Sequence, residues 1–414
     1  LRLLNYLIDF FLITYIVYFL FFVLMGFFTR KNREFKKPEK RFAIIIPAHN
    51  EEKVIAKLIQ NLKKLDYPKH LYDIFVVADN CKDNTAKIAR SQQVNVMVRL
   101  NNEKKAKGYA LKYAFEKLGF ISGKAEYDAV SVFDADNLVE ENFLKAMNTR
   151  LLKGEKIIQA YIDSKNPDDN WVTATFSMMF WINDRYNLLS RYNINLSSVL
   201  MGTGMCISAK TLEQIGWNTV TLTEDLEYSV QALMNGIKTS FARETKIYDE
   251  KPISFKASCR QRLRWARGQL SVALKYAARL VIKGIKKRNI AIFDGGFRIL
   301  QQPFIMFYTA TTLFRLLLPD LFGSPLFNMV LENLKILGFI LPITPFLLPA
   351  SVFILDKLSF KSFKYIIFFP LFMYSWVAIL YWALLTLNKK DWLPTKHSRS
   401  ISKKDLIRES TYAS

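Results

Sequence analysis

Residues 129–136 read Ala129-Val130-Ser131-Val132-Phe133-Asp134-Ala135-Asp136, a short apolar run that stops on two acids. Its β-branched and aromatic residues, with little polar alternation, have the pattern of a strand buried on both faces, as in a parallel sheet. Acids at i and i+2 past a strand end can point one carboxylate at a hard divalent cation and the other at a sugar hydroxyl. A solvated turn is the plainer account of the same letters, because aspartate is common in turns. Context favours the metal: the acids follow directly on a strand end, where ligands of parallel sheets bind.

Upstream, Phe42-Ala43-Ile44-Ile45-Ile46-Pro47 and Tyr72-Asp73-Ile74-Phe75-Val76-Val77-Ala78 have the same strand pattern, the second closing on Asp79-Asn80. Asn50 is expected to cap a helix entered through Glu51-Glu52 and carried by Ile55, Leu58, Ile59 and Leu62. Asp83 and Asn84 open a second helix. Strands alternating with helices imply right-handed βαβ units and a mostly parallel α/β sheet. Ligands of such sheets bind at the carboxyl ends of the strands, which is where the polar clusters fall.

Two further clusters carry chemistry. Thr223-Glu224-Asp225 precedes a helical pattern from Leu226 to Leu233. A threonine N-cap followed by first-turn acids explains it structurally, and a helix start can also present a catalytic carboxylate. Gln261-Arg262-Leu263-Arg264-Trp265 offers two guanidinium forks suited to phosphate and an indole face suited to a sugar. An amphipathic interfacial helix over Phe255 to Lys283, with snorkelling arginines, accounts for the helix as a whole.

The ends of the chain have a different character. The 414 residues carry a formal charge of +23 and are 51% hydrophobic. Leu3 to Phe28 holds a single acid, Asp9, and is longer than the ~20 residues that cross a hydrocarbon core. The basic run from Arg30 to Arg41 follows it, which sets the next domain in the cytoplasm and argues against a cleaved signal peptide. Phe297–Leu318, Leu334–Leu355 and Tyr365–Leu387 are further candidate spans, the middle one interrupted by Pro342, Pro345 and Pro349. Four spans conflict with a basic cytoplasmic tail, so one stretch is expected to be a hairpin or interfacial. Asn170 to Leu196, rich in aromatics, is expected to lie along the membrane face. The charge beside apolar segments points to anionic lipid and away from nucleic acid, for which no motif is present. The three cysteines, Cys81, Cys206 and Cys259, have no zinc or disulfide spacing.

The set Ala48-His49-Asn50-Glu51-Glu52, Asp79, Asp134-Ala135-Asp136, Thr223-Glu224-Asp225 and Gln261-Arg262-Leu263-Arg264-Trp265, in this order, resembles the family 2 inverting glycosyltransferases. More narrowly it resembles the membrane synthases of cellulose, hyaluronan, poly-N-acetylglucosamine and capsule, over about Phe42 to Ile282. The resemblance implies a GT-A fold. It implies Glu51 and Asp79 at the uracil and ribose of a UDP-sugar, Asp134 by the ribose or diphosphate, and Asp136, with Asp134, at Mn²⁺ or Mg²⁺. It implies Lys107 near the donor, Asp225 as general base beside Glu224, Gln261 and Arg262 binding substrate, Arg264 holding the donor diphosphate, and Trp265 at the acceptor. Met201-Gly202-Thr203-Gly204-Met205 is similar to the family's acceptor-side loop.

The domains implied are an N-terminal transmembrane segment (1–29), a cytoplasmic catalytic domain (40–250) and interfacial helices (251–296), then a C-terminal transmembrane region (297–388) and a basic cytoplasmic tail (389–414). The function implied is extension of a β-linked polysaccharide from UDP-glucose, with UDP-N-acetylglucosamine as second choice of donor, and export through the same membrane region. The alternative is addition of one sugar to a lipid; a transporter with a nucleotide-sensing domain is a third class, disfavoured by the few ionisable residues in the apolar segments. The partners expected are donor, glycan acceptor, membrane lipids and a second copy in a homodimer. Departures from the pattern are the missing gating-loop motif, the absence of a cyclic-di-GMP domain after the spans, and Thr223-Glu224-Asp225 in place of Gly-Asp-Asp. Asp391 to His397 loosely resembles a Trp-containing motif that folds over the donor in some synthases.

Overall fold

The computed structural model describes residues 2–29, 34–101, 103–319, 323 and 343–389. Its strands are β1 (Phe42–Ala48), β2 (Tyr72–Asp79), β3 (Asn95–Arg99), β4 (Ala129–Val132), β5 (Leu138–Val139), β6 (Ile157–Ser164), β7 (Met205–Ser208) and β8 (Thr239–Asp249). They form one sheet in the order β3-β2-β1-β4-β7-β6-β8-β5. β1 to β4 are parallel, β7 runs against β4 and β6, β8 is parallel to β6, and β5 is antiparallel to β8. The carboxyl ends of β1, β2, β4 and β8 therefore share one edge.

Both faces of the central strands are covered, which is why they read as unbroken apolar runs. Ile44 and Ile46 pack in one cluster with Ile55, Leu58, Ile59 and Leu62 of α2 (Ile55–Leu62). Ala43 and Ile45 pack in the opposite cluster with Leu111 and Phe115 of α4 (Lys107–Lys117). Each fully buried isoleucine contributes about 1.5–3 kcal/mol relative to exposure. α2 starts later than the sequence suggests. Asn50 adopts a left-handed φ of 57° and is not its cap. Instead Asn50 Oδ1 accepts from Lys82 N at 2.8 Å, tying the loop after β1 to the loop after β2.

The strong helical patterns give α3 (Thr85–Ser91), α5 (Phe143–Leu152), α6 (Trp171–Asn183), α7 (Ser190–Asn193), α8 (Ala209–Ile215), α9 (Glu224–Met234) and α10 (Phe255–Lys286). α6 departs from the expected interfacial helix. Nine of its residues, from Val172 to Trp181, are buried against the sheet and the C-terminal helices. Its uniform hydrophobicity is that of a helix wrapped by protein rather than one lying on lipid. A capping box of Asn170 and Thr173 starts it, and a π-helical turn at Asp184–Leu189 follows.

The flanks differ in part from the expected spans. α1 (Arg2–Gly26) is continuous and exposes Leu3, Leu7, Phe10, Val17, Leu20 and Leu24. The expected Phe297–Leu318 span is broken at Leu300 into α11 (Ile290–Ile299), mostly buried, and α12 (Gln301–Leu317). Of Leu334–Leu355 only α13 (Thr344–Leu355) is described, with Pro345 in its first turn and Pro349 inside. α14 (Phe369–Leu385) follows a 3₁₀ stretch, Phe360–Phe368. Among the described residues two helical stretches, Leu3–Gly26 and Phe360–Leu385, are long and apolar enough to cross a membrane. Residues 390–414, which include the Asp391 to His397 motif and nearly all of the basic tail, lie outside the described residues.

Candidate active site

An open cleft enclosing about 1340 Å³ of empty space lies at the shared strand edge. The sheet supplies one wall: Ala48 ending β1, His49 and Glu51 after it, Asp79 ending β2, Asp134 and Asp136 after β4, and Asp249 and Glu250 at the end of β8. The other wall is Lys107 at the start of α4, Met201 to Thr203, Thr221 to Asp225 leading into α9, and Gln261, Arg264 and Trp265 of α10. Residues more than 200 positions apart thus meet because strand ends and helix starts converge there.

Local bonds fix each group. Arg99 Nη1 donates to Asp79 Oδ1 at 2.6 Å, and Arg99 Nη2 donates to Lys104 O at 2.8 Å. Burial raises the Asp79 carboxyl above its usual range, with Arg99 opposing. His49 Nδ1 lies 2.7 Å from Asp79 O, so the backbone carbonyl holds the ring. The Asp134 amide donates to Asn137 Oδ1 and to Thr203 Oγ1, both at 3.1 Å, which locks the turn after β4. Glu250 N donates to Asp136 Oδ2 at 3.1 Å.

Lys107 sits at the centre. Its Nζ pairs with Asp134 Oδ1 and donates to Gly202 O at 2.8 Å. Burial would lower its pKa, but Asp134 and Glu224 together raise it, so the ammonium stays charged. Asp225 is pushed from 3.8 up to about 7, first by desolvation and then by repulsion from Glu224. Its Oδ1 accepts from Leu226 N at 2.8 Å. Its Oδ2 faces Gly202, where a Cβ would come within 3.3 Å of it, and Gly202 has a φ of +85°. Glu224 is likewise raised by burial, with Lys107 and Arg264 opposing. A base poised near neutrality, beside a fixed cation, is the arrangement that proton abstraction from a hydroxyl requires.

Thr223 stands at the N-terminus of α9 but makes no side-chain cap, so capping does not account for the Thr-Glu-Asp cluster. α10 reaches it through Gly268, where a Cβ would lie 2.6 Å from Thr223 Oγ1. The loop ahead of α9 is held by Glu227, whose Oε2 accepts from Val220 N at 2.7 Å and Thr221 N at 2.8 Å.

Arg262 does not join the cleft. It is fully buried and points the other way, donating to Phe372 O at 3.1 Å and Ser375 Oγ at 2.7 Å of α14, over the Phe372 ring at 4.1 Å. The helical period explains this: on α10, Gln261, Arg264 and Trp265 share a face that position 262 leaves. Trp265 is packed by Phe176 and Phe180, with ring centroids 5.7 and 5.9 Å away.

The sequence reading missed Asp249 and Glu250. Their signal was the end of a strand, Thr239–Asp249, parallel to β6. Asp249 pairs with Lys251 at 2.6 Å, and its carboxyl is raised by burial, with Lys251 opposing and Asp136 and Asp134 adding smaller repulsions. Crowded carboxylate oxygens are the donors that Mn²⁺ and Mg²⁺ prefer, so the residues present fit such an ion. No three His, Cys, Asp or Glu side chains among the described residues converge tightly enough to hold it unaided. Diphosphate oxygens would complete the shell, as is usual for these cations.

A family model described as Glycosyltransferase like family 2 matches residues 38–268, more than half of the chain. A probable glycosyltransferase, YdaM, of Bacillus subtilis is 27% identical over 86% of this chain and 84% of its own length. A beta-monoglucosyldiacylglycerol synthase of Trichormus variabilis is 27% identical over 56% of this chain, which spans only 50% of that relative. The solved mannosyltransferase PcManGT of Pyrobaculum calidifontis, in complex with GDP-Man and Mn²⁺, superposes with a TM-score of 0.52 at 15% identity. It covers 77% of this chain and 93% of that one, and the likeness establishes a GT-A-like fold.

Proposed function

This chain belongs to glycosyltransferase-like family 2, and on that premise we propose that it transfers a hexose from a UDP-sugar, with inversion, to a hydroxyl of a membrane-borne acceptor. The observation that carries the reading is the half-buried Asp225 carboxyl, pushed up to about 7 beside Glu224 and facing the Gly202 backbone.

In this mechanism the acceptor hydroxyl approaches the anomeric carbon from the face opposite UDP. Asp225 takes its proton as the new C–O bond forms. The bond from the anomeric carbon to the β-phosphate oxygen breaks, and its electron pair leaves with UDP. Lys107 and Arg264 offset the charge that gathers on the diphosphate. Glu51 and Asp79 hold the nucleoside, with Arg99 fixing the Asp79 rotamer. Asp134 and Asp136 would hold a divalent ion, which when bound supplies further charge neutralisation at the diphosphate. One displacement turns an α-linked donor into a β-linked product.

Two acceptors fit. A growing glycan is supported by Trp265, whose indole lines the cleft and is braced by Phe176 and Phe180 for stacking on a sugar. A lipid is supported by the named activity of the Trichormus relative. α1, with its exposed apolar surface, would hold the enzyme in the membrane and the basic residues after it would keep the cleft cytoplasmic. UDP-glucose is the first donor to test and UDP-N-acetylglucosamine the second. Purified enzyme with labelled donor decides the rest: a ladder of products supports polymerisation, a single glycolipid supports one addition, and no UDP release from any UDP-sugar refutes the proposal.

A further inference from the structure

A second, much smaller cavity, open to the surface, lies between α1, the π-helical turn and α11, and is separate from the catalytic cleft. It is lined by Tyr15, Tyr18 and Phe22 of α1, Arg191 of α7, Arg298 of α11 and Gln301 of α12. Arg191 is saturated. It bonds Asp294 Oδ2 at 2.9 Å, Asn187 Oδ1 at 2.6 Å and the Tyr18 hydroxyl at 2.7 Å, and lies over the Phe22 ring at 3.8 Å. Arg298 is not. It is 8% exposed, and its one side-chain hydrogen bond among the described residues is a long one, 3.4 Å, to Ser197 O. Arg191 and Arg298 face the single acid Asp294, so this cluster holds one positive charge in excess.

A guanidinium buried with most of its donors unused is costly unless an anion answers it. Phe19, which also lines the cavity, is 37% exposed on the apolar side of α1, so the cavity borders the surface that would meet lipid. Ionisable residues among membrane helices face protein interiors and mark ligand sites, and basic pockets between helices near the cytoplasmic side take anionic headgroups. The cavity has room for about one water, so it would take a single phosphate oxygen of a headgroup lying at its mouth rather than a nucleotide.

We propose that Arg298, flanked by Arg191 and Gln301, forms a binding site for a phosphate-bearing anion, taken from a lipid headgroup at the edge of α1. The site goes beyond the transferase reading and rests only on α1 being embedded. Ser197, the backbone acceptor of Arg298, begins the segment that runs through Met201 to Gly202 in the cleft. An occupied site would therefore brace the strand of chain that carries the cleft loop.

The test uses the full chain in phosphatidylcholine vesicles with and without phosphatidylglycerol, with sodium phosphate as a separate arm. Thermal unfolding is compared for wild type and Arg298→Met, a substitution of similar bulk that removes the charge. Phosphatidylglycerol should raise the wild-type Tm by at least about 3 °C and leave Arg298→Met unmoved. In phosphatidylcholine alone the variant should be at least as stable as wild type, because a lone buried charge has gone. Arg298→Lys, keeping charge without the fork, should retain part of the response. A wild-type rise with sodium phosphate in neutral vesicles, lost in Arg298→Met, would assign the site to soluble phosphate instead. No rise with either, or the same rise in Arg298→Met, overturns the site. UDP release in neutral vesicles, which the variant should retain, tests the catalytic reading independently.

Discussion

Replacing Asp225 by asparagine should make the protein more stable and nearly inactive, and the stability gain should depend on pH in a defined way. The Asp225 carboxyl stands at about 7 in the folded chain against 3.8 for the free group. A raised carboxyl favours the protonated form, so the fold loses stability as pH climbs from the unfolded value to the folded one. At 1.36 kcal/mol per unit the ceiling is about 4 kcal/mol, and water in the open cleft screens this to about 2 kcal/mol. Asparagine keeps the shape and never ionises. The variant should therefore exceed wild type by about 2 kcal/mol at pH 8, with the gap narrowing through pH 6 and 5 and closing near pH 4. UDP release at pH 8 should fall at least ~100-fold while UDP still binds. Denaturant unfolding across pH gives the first quantity and a coupled UDP assay the second. A stability gap that stays constant from pH 8 to pH 4, or a variant with unchanged turnover, would refute the assignment of Asp225 as a strained base.

Wild-type kcat/KM should fall about tenfold per pH unit below about 7, as protonation removes the base; a flat profile down to pH 5 contradicts this. Glu224→Gln removes the neighbouring negative charge and should move that midpoint to lower pH, read from the same profile. Asp136→Ala should abolish metal-dependent UDP binding by calorimetry, and binding as tight as wild type with added Mn²⁺ would remove Asp136 from the metal set. Arg262→Met should change thermal stability with little effect on the KM for donor, whereas Arg264→Ala should raise that KM or lower kcat; the reverse pattern would undo the division drawn between them. Gly202→Ala should cost about 1 kcal/mol or more of stability and depress turnover, since its φ of +85° strains any side chain and a Cβ would crowd the Asp225 carboxylate.

Much of this was legible because parallel strands advertise themselves. The runs at Phe42, Tyr72 and Ala129 carry their own burial pattern, and the acids that end them fall on one edge by topology alone. Asp249 and Glu250 escaped notice because β8 alternates and its register with β6 shifts between Ala160 and Tyr161. Arg262 was misplaced for want of a helix phase: the letters of Gln261 to Trp265 do not say which face turns inward. Asn50 was read as a cap when it bridges two loops, since the same side chain serves either use. α6 was assigned to lipid because its composition is apolar, and composition does not tell a protein interior from a bilayer. Arg298 had no local pattern at all; its meaning depends on Arg191 and Asp294, brought together only by folding.

The close seat of Gly268 on Thr223 has a practical consequence. Three residues of the catalytic wall are borrowed from a helix that is also bolted, through Arg262, to the apolar C-terminal helices. A soluble fragment trimmed before Phe255 would keep the sheet yet lose Gln261, Arg264 and Trp265. By the same logic, a harsh surfactant that loosens those helices would silence turnover while circular dichroism still reported an intact core. Loss of activity during purification would then signal a shifted rod rather than an unfolded protein, and gentler amphiphiles would be the remedy.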